Sequence, residues 1–507
     1  MDWLKKNQMQ WQIFAAALLT AVSLLHTDGA NPYGIPGHDS GTFLYIGMLI
    51  QHGGMPYLDV FDHKGPWLYI LNALAMEMGN WHMIAVFEAI AFFASIFVTF
   101  QIARLRAGFF SSLLITALCT WLLNRGMLDG GNYTEEYALP WIALAELLFL
   151  RFFQKGKIEG RGFFCIGLGL SMVIALRPNM IAVWAVGIPV MSWLLWRQNR
   201  LCRGTGWMLG GFTAGIAPLL LWMAVRGALV ACWDAYIVFN LQYTRRVLGL
   251  MKQLLPENHP LQAAVVGRFS AFVHFAEVGA CQVAALCLIA MGSRRRWRDG
   301  AAWASLMMLF LSLLTASMSG FLFWHYGMVL LPTLAYPLAI FCEALERMLF
   351  RNVPVCRYLL AGASLLFAGS LVFSATRSYV AWYRHPPEDS SRMHITEAAS
   401  YIRSHTSPED RILVFGSQTA LYPLSDRLAS SKYSYQFPMI VLDSAMHDDF
   451  IENFDKTLPK IIVTGKEIPG YEPWEEVMQS YAYEVAPEYA GTDDLMIYVL
   501  VDRGDAL

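Results

Sequence analysis

A succession of long apolar runs, with basic clusters in every second gap, constrains this chain more than any other feature. Runs that approach or exceed the roughly 20 residues a helix needs to cross a bilayer occur near 11–27, 80–103, 107–124, 138–153, 205–225, 270–292, 300–318, 323–344 and 356–376. Lys and Arg gather at Lys5/Lys6, Arg104/Arg106, Arg151/Lys155/Lys157/Arg161, Arg197/Arg200/Arg203, Arg294/Arg295/Arg296/Arg298 and Arg347/Arg351/Arg357. The positive-inside rule assigns all of these clusters to the cytoplasm. The chain is 56% hydrophobic and 15% charged, well under the charge content of soluble domains, so it reads as an integral membrane protein. A net charge of -2 argues against a nucleic-acid partner. The 8 cysteines include no CxxC pair, so neither a zinc site nor a disulfide framework is implied. Lys5 and Lys6 before an apolar run resemble the start of a signal peptide, but no small-x-small cleavage site precedes Asp39. The first run therefore reads as a retained helix.

The basic flanks make a demand on residues 162–196. The segment has to leave the cytoplasmic side and return to it, yet it is too short for two spans of about 20 residues. Its one breaker is Arg177-Pro178-Asn179, and the residue before a proline disfavours helix. The expectation is a helical hairpin with Arg177 at its tip. An arm of roughly 15 residues rises only about 22 Å, which places Arg177 below the outer surface and facing a polar cavity. An arginine at that depth is functional by default; the alternative is a snorkelling interfacial side chain.

With the hairpin counted as two arms, the fold class is a multi-span α-helical membrane protein of about eleven spans. The N-terminus lies inside and the C-terminus outside the cytoplasmic membrane. The stretch after the first span, together with 124–137, 226–268 and 319–323, then lies outside. Residues 40–52 and 66–78 read as short helices lying in the interface. From residue 377 charge rises and helix-like and strand-like pieces alternate. Helices are expected at 394–405, 447–457 and 473–480, strands at 411–415 and 460–464, and a strand pair at 481–486 with 495–502. The reading is a membrane domain over 1–376 and an extracytoplasmic soluble α/β domain over 377–507, about 130 residues and an ordinary domain size.

Residues 37–66, GHDSGTFLYIGMLIQHGGMPYLDVFDHKGP, concentrate Asp39, Asp59, Asp62, His63 and Lys64 beside the first span. Asp39, Tyr45, Gly47 and the run GGMPYLDVFDHKGP resemble the first outside loop of the GT-C glycosyltransferases. In particular they resemble bacterial relatives of the protein mannosyltransferases (glycosyltransferase family 39) and of the aminoarabinose transferases. DGGNYTEEYALP with Glu135 and Glu136 is similar to that group, as are Leu176-Arg177-Pro178-Asn179 and Trp324-His325-Tyr326 leading into Leu331-Pro332. The tail with ILVFGSQTALYPLSDRLASSKY resembles the extracytoplasmic tail of many bacterial members. The short motifs carry weight through their order along nearly the whole chain.

The resemblance implies transfer of a sugar from a polyprenyl-phosphate carrier to an envelope glycan, lipid or protein, with membrane lipids as the surroundings. An attacking hydroxyl needs a general base, and Asp39 matches the family's acidic position; alternatively it caps the helix that follows. The leaving phosphate calls for preorganised cations. Lys64 and Arg177 suit that role, with His63 adding a hydrogen bond; Lys64 could instead anchor at the interface. Glu135 and Glu136 either orient sugar or acceptor hydroxyls or serve the dipole of an external helix start. His325 and Tyr326 either line the same cavity or anchor at the interface. Arg245 and Arg246 could gather the carrier, or be a solvated pair. Asp62 with His63 offers no ligand set spaced for a metal, so no metal or cofactor is expected. Two other classes stay open: a transporter, with Glu88, Glu146 and Glu277 as relay candidates, and a glycan polymerase or ligase working from 226–268.

Overall fold

The computed structural model describes residues 7–242, 260–292, 296–320, 322–353, 355–384, 390–435, 444–465, 483–489 and 495–501. Arg245 and Arg246 and the helix expected at 473–480 lie outside these residues. Every apolar run coincides with helix. In chain order these helices are α1 (Gln8–Leu24), α2 (His38–Gln51), α3 (Pro66–Glu77), α4 (Ile84–Arg104), α5 (Phe109–Asn124), α6 (Thr134–Lys155), α7 (Gly160–Ile174), α8 (Ala182–Arg197) and α9 (Leu201–Val225). They continue with α10 (Pro260–Ala276), α11 (Ala280–Met291), α12 (Gly300–Ser317), α13 (Leu330–Asn352) and α14 (Cys356–Arg384).

Among the described residues, Trp81–Arg104, α9, α12, Trp324–Phe350 and α14 are each long and apolar enough to cross a membrane. The pair Gly267–Ala276 and Ala280–Met291 passes the same test as one segment bent by 58°, with Gly279 at the break in the left-handed conformation. Only 22% of the apolar window of α9 and 11% of that of α14 is buried. Leu220, Leu221, Leu366 and Phe373 on these helices point outward, as apolar side chains of helices long enough to cross a membrane do where they face lipid. This is a multi-span helical membrane protein.

The short hairpin takes the expected form. The arms α7 and α8 have 15 and 16 residues, about 22–24 Å each. Arg177 stands between them with extended backbone (φ -164°), and Pro178 opens a 3₁₀ turn over Pro178–Met180.

The described part of the C-terminal region is an α/β layer. Its helices are α15 (Ser390–His405), α16 (Leu421–Ser425) and α17 (Ser444–Lys456), and its strands β1 (Ile412–Phe415), β2 (Ile461–Gly465), β3 (Tyr483–Val485) and β4 (Leu495–Leu500). The sheet order is β1-β2-β4-β3. β1 pairs parallel to β2, Ile412 opposite Ile461, while β4 runs antiparallel to both β2 and β3. Ile412–Phe415 and Ile461–Val463 are buried under Ile402, Phe450 and Phe454, as continuous aliphatic strands covered by helices require.

Three readings need correction. First, α2 does not lay an apolar face against lipid: every side chain from Ser40 to Leu49 is buried. A helix apolar on all sides has to be enclosed, and here α3 and the C-terminal layer enclose it. Thr42 Oγ1 lies 3.0 Å from Thr419 Oγ1, and the Tyr45 hydroxyl accepts from the Ala429 N–H at 3.2 Å. Second, 226–268 is not simply a loop. Leu229–Cys232 is helical, continues as a π-helical turn over Trp233–Val238, and α10 begins at Pro260. Third, the composition change at 377 falls inside α14, which runs on to Arg384; charge enters the helix before the helix ends.

Candidate active site

The loop before α3 is held by its own aromatic residues. The Tyr57 hydroxyl donates to the Lys64 carbonyl at 2.7 Å, and the Tyr69 hydroxyl meets the backbone N–H of Lys64 at 3.2 Å. Tyr69 also donates to Asp62 Oδ2 at 2.7 Å, and Tyr435 from the C-terminal layer donates to Asp62 Oδ1 at 2.7 Å. Burial opposes ionisation of Asp62, but its neighbours His63 and Lys64 and these two hydroxyls outweigh it and hold its pKa below the ordinary value.

Lys64 Nζ lies 3.2 Å from His63 Nε2. An ammonium can only donate, so Nε2 accepts and the ring proton belongs on Nδ1, 3.6 Å from Asp62 Oδ1. Burial first, then the positive charge of Lys64, pushes the His63 pKa down to about 3. His63 is therefore a neutral imidazole that fixes the ammonium of Lys64. For Lys64 itself burial is outweighed by Asp39, Asp62 and Tyr326, and its pKa is raised.

Gly65 fastens this loop to the hairpin tip. Its N–H donates to the Leu176 carbonyl at 3.1 Å, and that of Trp67 to the Ala175 carbonyl at 3.1 Å. A Cβ on Gly65 would sit 2.1 Å from the Ala175 carbonyl oxygen, so only glycine lets the two backbones meet. Pro66 then supplies the first residue of α3, where its missing N–H is no loss. Lys64 and Arg177, far apart in the chain, are thereby set one residue from the same backbone junction.

Arg177 pairs with Glu135, whose Oε2 also accepts from Thr134 Oγ1 at 2.7 Å. Its guanidinium lies 4.1 Å over the ring of Tyr326. Glu136 has a different fate. It is fully buried and accepts from the backbone N–H groups of Asn132 (3.2 Å) and Tyr133 (3.3 Å). It closes the N-terminus of α6 by a capping box, which corrects its assignment as a sugar or acceptor ligand. The bend ahead of it needs Gly130 and Gly131 at φ +85° and +87°, packed against Asp28 and Glu88.

Asp39 occupies the first turn of α2, whose N-cap is Gly37 and carries no side-chain cap bond. The capping role is therefore set aside. Among the described residues the Asp39 carboxylate has no hydrogen-bond or ion-pair partner. It lines a cavity of about 620 Å³ together with Asp62, His63, Lys64, His325 and Tyr326. Asp129 and Tyr133 from the segment before α6, and Ser417 and Tyr435 from the C-terminal layer, also line the wall. His325 and Tyr326 thus face the cavity; His325 stacks on Tyr133 at 4.1 Å, nearly parallel. Asp39, Lys64, Glu135 and Arg177 all lie within electrostatic reach of His325.

The sequence reading missed the residues that brace this arrangement. Asn132 Nδ2 donates to Asn72 Oδ1 (2.8 Å) and lies 3.0 Å from Ser40 Oγ, and the Tyr137 hydroxyl donates to Asn132 Oδ1 at 2.9 Å. One asparagine so ties α2, α3 and α6 together. Asn240 Nδ2 donates to the His63 carbonyl at 2.7 Å. Asn240 follows the π-helical turn, a device common beside functional sites. Among the described residues no three His, Cys, Asp or Glu side chains gather as a metal-binding group.

Two solved structures share this architecture. Crystal structures of ArnT from Cupriavidus metallidurans, one bound to undecaprenyl phosphate and one in the apo state, superpose with TM-scores of 0.60 at 12% and 13% identity. Each comparison covers 97% of this chain and 98% of the other. The chain shares the fold of these two structures over nearly its whole length. A family model described as the competence-induced protein Ccs4 N-terminal domain matches residues 6–246, just under half of the chain. No curated protein matches the sequence.

Proposed function

We propose that this protein is an integral membrane glycosyltransferase that moves a sugar from a polyprenyl-phosphate donor to an acceptor outside the cytoplasmic membrane. One observation carries the reading: an unpartnered carboxylate, Asp39, and a cation, Lys64, face one cavity in a GT-C fold, although they lie 25 positions apart. The cavity volume falls within the usual range of about 300–1,000 Å³ for small-molecule sites, enough for a sugar phosphate and an acceptor hydroxyl. One of the two superposed ArnT structures has undecaprenyl phosphate bound, a ligand of the proposed donor class.

In this scheme the acceptor oxygen attacks the anomeric carbon while its proton passes to Asp39. The bond from that carbon to the phosphate oxygen breaks, and the electron pair leaves with the polyprenyl phosphate. Lys64 meets the charge that grows there. Arg177 is outside the cavity wall, held by Glu135 and by Tyr326, which does line it, and adds positive potential from there. A single displacement inverts the anomeric centre. A soluble domain that begins after α14, the eleven spans and the outside position of the C-terminal layer belong to the same proposal, because Ser417 and Tyr435 have to reach the cavity.

The test is mass spectrometry of envelope glycans from a deletion strain, complemented by the wild type or by Asp39→Asn. Rescue by the wild type alone supports the scheme. Full rescue by Asp39→Asn removes the base, and retention of the donor's anomeric configuration in the product removes the single displacement.

A further inference from the structure

Helix α6 links the candidate active site to a second cavity. Its first turn carries Glu135, and its last carries Lys155; 22 residues separate these ends by about 33 Å. At the far end α6 and α7 enclose a hollow of about 680 Å³. The α6 wall is Leu144, Leu148, Arg151 and Lys155. These positions fall four, three and four residues apart and form a single stripe on one helix face. The α7 side repeats the order with Cys165 deeper and Arg161 at the mouth, and Lys157 and Arg200 add two more cations.

The lining therefore grades from apolar to cationic along the helix axis, as a phosphate headgroup and the start of its acyl chains would require. Glu159 is the one acid in the wall, and Arg161 takes it up at 2.6 Å. Among the described residues, Arg151, Lys155, Lys157 and Arg200 have no ion pair. A topological signal needs positive charge near the span ends and nothing more. It does not account for Arg151 inside α6, above two leucines on the same stripe, or for cations from three segments around one hollow. Trp193, Trp196 and Trp207 are exposed on the neighbouring α8 and α9, the aromatic setting of a membrane interface.

We propose that this cavity is a binding site for the phosphate headgroup of an anionic phospholipid, separate from the sugar-transfer site and independent of that chemistry. Basic hollows between helix ends suit such headgroups. The experiment titrates the purified full chain in detergent with phosphatidylglycerol, with phosphatidylcholine and with inorganic phosphate, reading occupancy by native mass spectrometry. Phosphatidylglycerol is expected to bind preferentially. Replacing Arg151→Gln with Lys155→Gln should weaken it by roughly tenfold or more, while Arg151→Lys with Lys155→Arg retains it. Equal binding of the two lipids, or undiminished binding by the glutamine variant, overturns the proposal. So does displacement of the lipid by low millimolar inorganic phosphate, which would assign the cavity to a soluble anion.

Discussion

Gly65→Ala is a perturbation whose cost can be worked from the structure. The new methyl carbon would lie 2.1 Å from the Ala175 carbonyl oxygen and 2.5 Å from its carbon, both backbone atoms. A normal carbon–oxygen approach is about 3.3 Å or more, so the junction has to open by about an ångström. Two backbone hydrogen bonds, from Gly65 to Leu176 and from Trp67 to Ala175, lengthen with it. Overpacking of this kind costs typically about 1–3 kcal/mol of stability. The larger effect is positional, because the junction sets Lys64 against the Arg177 tip, and a misplacement of about 1 Å can cost about 100-fold in rate. The assay is transfer from a polyprenyl-phosphate sugar by protein reconstituted in vesicles, with a melting curve for each variant. Gly37→Ala is the control: it lies two residues from Asp39 with φ -60°, and an added Cβ would meet nothing within 4 Å. It should turn over like the wild type, and its melting curve should show no more than the roughly 1 kcal/mol that an alanine N-cap costs. If Gly65→Ala stays within about threefold of wild-type activity, a loss too small for the displacement argued above, the junction does not position Lys64 and the geometric argument fails.

The remaining predictions concern single charges. Asp39→Asn removes the proposed base and should lower kcat by about 10²–10⁴ without lowering the melting temperature, since the carboxylate has no partner to lose; a change under threefold would exclude general-base catalysis by this residue. Lys64→Gln should lower kcat by about 10²–10³ and leave the fold intact, because its backbone bonds to Tyr57 and Tyr69 do not involve the side chain; a large melting shift with unchanged kcat would make it structural. Asp62 has a folded pKa below its ordinary value of 3.8, so it binds protons more weakly folded than unfolded. Its contribution is then complete above about pH 4 and fades as pH falls through the lower folded value. Acid melting curves should show this loss in the wild type and a flatter response in Asp62→Asn; identical curves would refute the tie to Tyr69 and Tyr435.

The membrane helices and the hairpin were legible because each rests on a local rule. Apolar length marks the helices, basic flanks force residues 162–196 to turn back, and Arg177-Pro178 sets where the turn falls. Asp39 and Lys64 stood out as charges beside a membrane segment. Asn132 and Tyr435 did not, since nothing in DGGNYTEEY distinguishes a bracing asparagine from a loop asparagine, and Tyr435 meets Asp62 only through a contact across 373 positions. Enclosure of α2 left a usable signal: GTFLYIGML has no polar face, which an interfacial helix needs. Glu136 stayed open between a ligand role and a helix-start role because two adjacent carboxylates at a helix start look equivalent in sequence. The 100° between successive helical residues turns one toward Arg177 and the other back to its own N-terminus.

The relation between Asp39 and Lys64 separates a working site from a structural ion pair. Asp39 is the foremost of the charges that raise the Lys64 pKa, so the two are electrostatic neighbours. Yet no ion pair within 4.0 Å joins them. Side chains whose purpose was mutual neutralisation would close that distance, as Arg177 and Glu135 have done beside them. Here His63 and Asp62 hold the ammonium on one side, and α2 holds the carboxylate on the other. The gap between them remains open to the cavity. A base and a phosphate-binding cation need that spacing, since the attacking hydroxyl and the departing phosphate have to occupy opposite sides of one carbon.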